Sequence, residues 1–323
     1  MTDVLSRRDL DFLLYEWLDV ESLPSAKRFA EHSKDTFDAV LDLCADIAHK
    51  HFEPHNKLSD AVEPRMRPDG TVEMIEDVKA ALDVYSAAGL IAGQFDEALG
   101  GMQLPTTVAR AAMAWFQAAN ASTSAYPFLT MANANLIATY GTAEQIDHYV
   151  RPMLEGKYFG TMCLSEPQAG SSLADITTRA VKQDDDSYRI TGTKMWISGG
   201  DHELTENIVH LVLAKAAGGG PGVKGISLFV VPKYLPDGVR NDVTLVGLNH
   251  KMGNRGTTNT LLNFGDGTNA VAGNDAAGAV GFLVGEEHRG LSYMFQMMNE
   301  ARIGVGFLAI SLGYVGYLKS LDY

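Results

Sequence analysis

Three textures divide the 323-residue sequence and together predict an α+β multidomain protein. Helical apolar periodicity runs from Ser25 to about Glu155. Short β-branched and aromatic runs separated by turn residues follow Gly156, and helical periodicity returns at about Gly290. The expected architecture is an N-terminal all-α domain over residues 1–157, a middle antiparallel β-barrel or sandwich over 158–285, and the start of a C-terminal helical domain over 286–323.

In the first region Phe37, Val40, Leu41, Cys44, Ile47 and Ala48 fall on one helical stripe, and Met74, Val78, Leu82 and Tyr85 on another that ends near Gly89, a C-terminal cap. Asp96 to Pro105 breaks the helices: Gly100 and Gly101 supply the turn, and Pro105 can open the next helix. Six strands are expected in the middle region: Tyr158 to Leu164, Tyr188 to Ser198, Ile208 to Ala214, Ile226 to Val231, Val243 to Leu248 and Thr260 to Phe264. Asp184-Asp185-Asp186-Ser187 is a polar turn. Ala216 to Gly222 and Gly265 to Gly278 are expected loops. The last segment repeats apolar residues through Leu291, Met294, Phe295 and Met298. Its uncharged run from Ile303 to Leu318 is shorter than the roughly 20 residues a bilayer requires, so a core helix inside a bundle, rather than a membrane span, is expected, with its partners outside this sequence.

A hydrophobic content of 46% allows a sizeable core, and a formal net charge of −14 with no basic stripe argues against a nucleic-acid partner, which would require clustered Lys and Arg against phosphates. The two cysteines, Cys44 and Cys163, are too few for a disulfide framework or a thiolate zinc site. Met1 to Arg8 has no apolar signal-type core and no transit-peptide character, so a cytoplasmic location is expected. His49, His51 and His55 read as surface histidines rather than a metal site, because Pro54 interrupts their helical spacing. Gly220-Pro221-Gly222-Val223-Lys224-Gly225 matches a dinucleotide fingerprint literally, yet it leads into a strand and not a helix N-terminus, so it is a hairpin loop.

Two segments carry chemistry. Ser165-Glu166-Pro167-Gln168-Ala169-Gly170-Ser171 follows a strand, and its proline and glycine hold a turn that can expose N–H groups and hydroxyls to flavin ring oxygens or a pyrophosphate. Lys194-Met195-Trp196-Ile197-Ser198 lies on a strand whose alternation puts Trp196 and Ser198 on one face and Ile197 on the other. An indole and a hydroxyl on one face suit a flat heteroaromatic ring.

Together, Cys163 through Ala174 and Lys194 through Gly200 resemble the flavin cradle of the acyl-CoA dehydrogenases. Gly199 to His210 and Gly247 to Gly253 are most similar to the large bacterial branch that includes 3-methylmercaptopropionyl-CoA dehydrogenases. The resemblance implies FAD bound by Met162, Leu164, Ser165, Gly170, Ser171, Trp196, Ile197 and Ser198, with Ser171, Asn299 and Arg302 also toward the acyl-CoA. It departs from the family at Ser172 and at Asn299, where aspartate is commoner. It further implies a C-terminal four-helix bundle of which this chain holds the first helix, homo-oligomers, and α,β-dehydrogenation of an acyl-CoA to the trans-2-enoyl-CoA. In that reaction a glutamate takes the α-proton, hydride leaves to the flavin, and electron-transfer flavoprotein receives the electrons. The family's usual glutamate lies beyond Tyr323, so the chain is expected to be a truncated homologue with its catalytic residue unassigned. Glu300 is the substitute to test, because a minority of the family carries its base immediately before the arginine, where this chain has Ala301. The alternative is a non-catalytic flavin- or acyl-CoA-binding subunit or a gene fragment.

Overall fold

A computed structural model describes residues 4–271, 277–321 and 323. Five main helices and eight strands organise it: α1 (Lys34–Ile47), α2 (Glu76–Ala87), α3 (Thr106–Ala119), α4 (Ala121–Tyr140) and α5 (Gly290–Leu321), with β1 (Tyr158–Cys163), β2 (Arg179–Lys182), β3 (Tyr188–Ser198), β4 (Asn207–Ala216), β5 (Ile226–Pro232), β6 (Val243–Leu248), β7 (Asn259–Phe264) and β8 (Ala279–Leu283).

The helix boundaries follow local chemistry. Ser33 caps α1 through a reciprocal box with Thr36. Asn120 caps α4 by accepting the Thr123 N–H. Gly89, just past α2, adopts the left-handed conformation that ends a helix without a Cβ penalty. One short ladder, Arg65–Met66 against Val72–Glu73, interrupts the helical region.

The strands close into a barrel. Its ladder runs β8-β5-β4-β2-β3, and β8 returns to pair with β3, while β7 and β6 extend from the far half of β3. The pairing is not wholly antiparallel, as the sequence suggested: β1 and β2 both lie parallel to β4, at its two ends. Turn residues report hairpins between neighbours and are silent about strands joined through distant chain. The short strands β2 and β8 also escaped the sequence reading. Part of the expected Gly265–Gly278 loop, residues 272–276, lies outside the described residues.

The strands β4 and β5 read as unbroken apolar runs because both faces are covered. Val209, Leu211 and Leu213 face the helical side, where they share a core with α3 and α4, whereas Val212 and Ala214 face the barrel interior with Phe229, Val231 and Phe264. The helix α4 crosses β1, and Asn133 at its centre donates to the carbonyls of both Thr161 and Val209, tying the helical layer to the barrel.

The last helix is one continuous 32-residue element. Contrary to expectation, it finds partners within the chain: it packs on α3, α4 and β5 through Tyr293, Met294, Met297 and Gly304. It is also not buried all round, since Ile303, Val305, Ile310 and Leu312 are exposed. By length and composition alone it is the one helix among the described residues long and apolar enough to cross a membrane, a test that core helices of soluble proteins also pass. His55 likewise departs from expectation: it is buried, with Nε2 2.9 Å from the Thr123 hydroxyl.

Candidate functional site

The barrel brings the two motif segments side by side. The segment Leu164–Ser172 leaves the end of β1, and the Ser165 carbonyl accepts the N–H of Met195 at 3.0 Å, so the loop lies along β3 just before Trp196. A tight turn, with reciprocal bonds between the backbones of Glu166 and Ala169, presents Gly170, Ser171 and Ser172 to solvent. Leu164 is buried under the loop, while Met162 and Ser165 are half-buried.

At Trp196 the strand does not simply alternate. A β-bulge between Lys194 and Ile197 adds one residue against β7, and Trp196 takes a left-handed φ of 64°. The bulge puts Lys194 and Ile197 both inward and turns the indole outward, 56% exposed. Trp196 and Ser198 therefore share the open side as expected, but through the bulge and not through a regular pleat. A large aromatic residue held at positive φ is strained, and such strain clusters at functional sites. Ser198 Oγ accepts from Asn259 Nδ2 at 3.3 Å, which leaves its own proton free to donate.

Beneath the loop lies a feature the sequence reading did not use. The Glu166 side chain is 1% exposed and that of Lys194 0%, with Nζ 3.0 Å from Oε1. Oε1 also accepts from the Thr178 N–H and hydroxyl, and Oε2 from the Thr177 N–H and hydroxyl and from Gln168 Nε2. Burial alone would raise this carboxyl, but the Lys194 charge and the threonine hydrogen bonds outweigh it and bring it down to about 2. The loop that carries Ser172 in place of the family-typical aspartate is held from below by this ion pair. The available signal was the phase of β3: Lys194 follows Tyr188 and Ile190 on the inward face, and a lysine there requires an acid partner.

The remaining predicted residues stand apart. Asn299 and Arg302 lie exposed on α5, Arg302 Nη1 donating to Asn299 Oδ1 at 3.0 Å. Among the described residues no hydrogen bond or ion pair joins them to the loop or to β3. Glu300 turns into a cavity of about 480 Å³ lined also by Arg110, Met131 and Asn135, and Asn135 Nδ2 donates to its Oε1. Burial raises its proton affinity, opposed by Asn135 and Arg110. Its carboxylate is engaged on the α3–α4 side, which argues against its service as a base at the loop.

The residues present fit a flavin. An ideal Cβ built on Gly170 meets nothing within 4 Å, so the turn leaves open space. Among the described residues, the N–H groups of Gly170 and Ser171 and the hydroxyls of Ser165 and Ser171 have no partner within the chain. An exposed indole beside unpaired donors is a platform for a flat, polar heteroaromatic ring.

A helical domain, a closed barrel carrying an outward donor loop and indole, and a following apolar helix define the class of the acyl-CoA dehydrogenase fold. The chain belongs to the acyl-CoA dehydrogenase family: the N-terminal domain of that family matches residues 35–157 and its middle domain residues 161–266. A 3-methylmercaptopropionyl-CoA dehydrogenase of Ruegeria pomeroyi is 35% identical over 98% of this chain and 52% of its own length. The chain spans about half the length of the curated relatives it matches. Among solved structures, butyryl-CoA dehydrogenase of Megasphaera elsdenii superposes with a TM-score of 0.70 at 22% identity, over 90% of this chain and 69% of that one. An acyl-CoA dehydrogenase of Bacillus anthracis, solved in complex with FAD, gives 0.67 at 19% identity over 87% and 42%. At these identities the two structures attest the fold.

Proposed function

We propose that the chain forms the flavin-binding part of an FAD-dependent enzyme that oxidises an acyl-CoA thioester to the trans-2-enoyl-CoA, with electron-transfer flavoprotein as electron acceptor. The observation that carries this reading is Trp196: an indole more than half exposed, at positive φ, beside a loop of unpaired N–H donors.

In this reading FAD, when bound, supplies the acceptor for the hydrogen and electron pair lost from the thioester's β-carbon. The chain's own residues bind and orient. Trp196 offers its indole face to the ring system, the Ser198 hydroxyl donates from the same side, and the N–H groups and hydroxyls of Ser165, Gly170 and Ser171 bind oxygens. Met162 and Leu164 pack with the helical side and Ile197 with the barrel interior, so these three supply apolar support beneath the two segments. Ser171, Asn299 and Arg302 are assigned toward the acyl-CoA, Arg302 as a cation for its phosphates. The acceptor of the α-proton is assigned to none of the described residues.

The test is the visible spectrum of the purified chain with FAD, before and after anaerobic octanoyl-CoA. Bound flavin that bleaches supports the dehydrogenase. Flavin that binds without bleaching supports the alternative of a binding subunit, and failure to bind flavin overturns the flavin-binding reading of this chain and leaves an incomplete or non-catalytic relative.

A further inference from the structure

We infer that the buried Glu166–Lys194 ion pair is a positioning device that sets the two sides of the cradle against each other, an inference resting on the flavin reading above. Glu166 sits within the donor loop and Lys194 two residues before Trp196. The two carboxylate oxygens receive six donors, reaching Gln168, Thr177, Thr178 and Lys194. Lys194 Nζ makes a second bond, at 2.9 Å, to the Leu164 carbonyl. One ion pair thereby fixes the chain at 164, 166, 177–178 and 194, and the groups proposed to meet the cofactor, Ser165, Gly170, Ser171 and Trp196, are the outward-facing residues between and beside these anchors.

Stability is a poor reason for this arrangement. Withdrawing two charges from water costs as much as their attraction returns, and a shape-matched apolar pair is often as stable. What the pair supplies that apolar side chains cannot is direction: a carboxylate that receives six donors and a lysine that makes two bonds hold the backbone in one geometry. A loop about 1 Å too loose still folds, but its donors no longer converge on a ligand.

The test compares the full chain with Glu166→Gln, Lys194→Met, the paired Glu166→Met/Lys194→Met, and Glu166→Asp, which keeps the charge and shortens its reach. Two readouts are taken: amide hydrogen exchange across residues 164–178 without cofactor, and FAD affinity with the fine structure of the flavin spectrum. The single charge-removing variants are expected to lose thermal stability because each leaves a charge buried alone. The paired variant leaves no charge buried alone but strands the Thr177 and Thr178 N–H groups, so it is expected to regain part of that stability, yet to exchange its loop amides about tenfold faster and to bind FAD about tenfold more weakly, with altered fine structure. Glu166→Asp, which keeps a charge beside Lys194, should shift the same two readouts in the same direction. A paired variant or Glu166→Asp that is stable, retains loop protection and keeps wild-type FAD affinity overturns the inference and reduces the pair to packing. If the unmodified chain binds no FAD, the flavin reading fails, while the exchange data still decide whether the pair positions the loop.

Discussion

Replacing Trp196 by alanine removes a side chain that is more than half exposed and held at positive φ, so it should cost the fold little. Thermal unfolding of Trp196→Ala is expected within a few degrees of the parent, while FAD affinity falls about tenfold or more. Gly170→Val should behave the same way, since its added atoms enter only the open space proposed for the cofactor. Calorimetry paired with flavin titration checks both. Two histidines carry a different prediction. His202 and His210 are fully buried, and burial, aided by Lys233 near His202 and Arg240 near His210, brings each down to about 3. A depressed native value means the unfolded chain binds the extra proton. Their contribution is whole above about pH 6.5 and is lost as pH falls toward 3, at up to about 1.4 kcal/mol per pH unit for each histidine. Urea unfolding at pH 7, 6 and 5 should show a falling midpoint that His210→Phe partly removes; a flat profile would refute the assignment. At this scale the sequence made the exposed cradle residues legible, because turn chemistry and an aromatic in a strand are local signals. Glu166 and Lys194 went unread because their importance lies in a burial that only the folded loop creates.

Among elements, the seat of α5 is set by one glycine. A Cβ on Gly290 would stand 2.3 Å from the Ser227 carbonyl carbon and 2.5 Å from the Leu228 nitrogen, both backbone atoms of the β4–β5 hairpin that cannot swing aside. Gly290→Ala is therefore expected to destabilise by roughly 1–3 kcal/mol, despite the higher helix propensity of alanine, as measured by chemical denaturation. The alternative Gly306→Ala, where nothing stands within 4 Å, should be neutral or slightly stabilising and serves as the control. The helices α1 and α2 were readable from their apolar period, and the six long strands from apolar, β-branched runs bounded by turn residues. The parallel pairings of β1 and β2 with β4 were not, since pairing between distant strands depends on contacts made only in the fold, such as the hydrogen bonds from Asn133 of α4 to the Thr161 and Val209 carbonyls that join β1 to β4.

For the whole molecule, the outer face of α5 is expected to govern solution behaviour. Ile303 and Ile310, seven residues apart and 59% and 71% exposed, lie on one stripe with Phe307 between them. Contiguous apolar surface of this kind drives association. Concentration-dependent self-association is expected in light scattering, and Ile303→Glu with Ile310→Glu should shift the chain toward monomer without lowering its melting temperature. That α5 would be apolar was plain from composition, but which side of it the protein covers required the positions of α3 and α4.

The strand Ala279–Leu283 is hydrogen-bonded on both edges, to β3 and to β5. Among the described strands it is the last in the chain, so before it emerges from the ribosome β3 and β5 each lack this partner. Those edges can recruit foreign strands until residue 283 arrives to seal them. A pause in translation just before residue 279 is therefore expected to prolong the time for which the two edges stay unpaired.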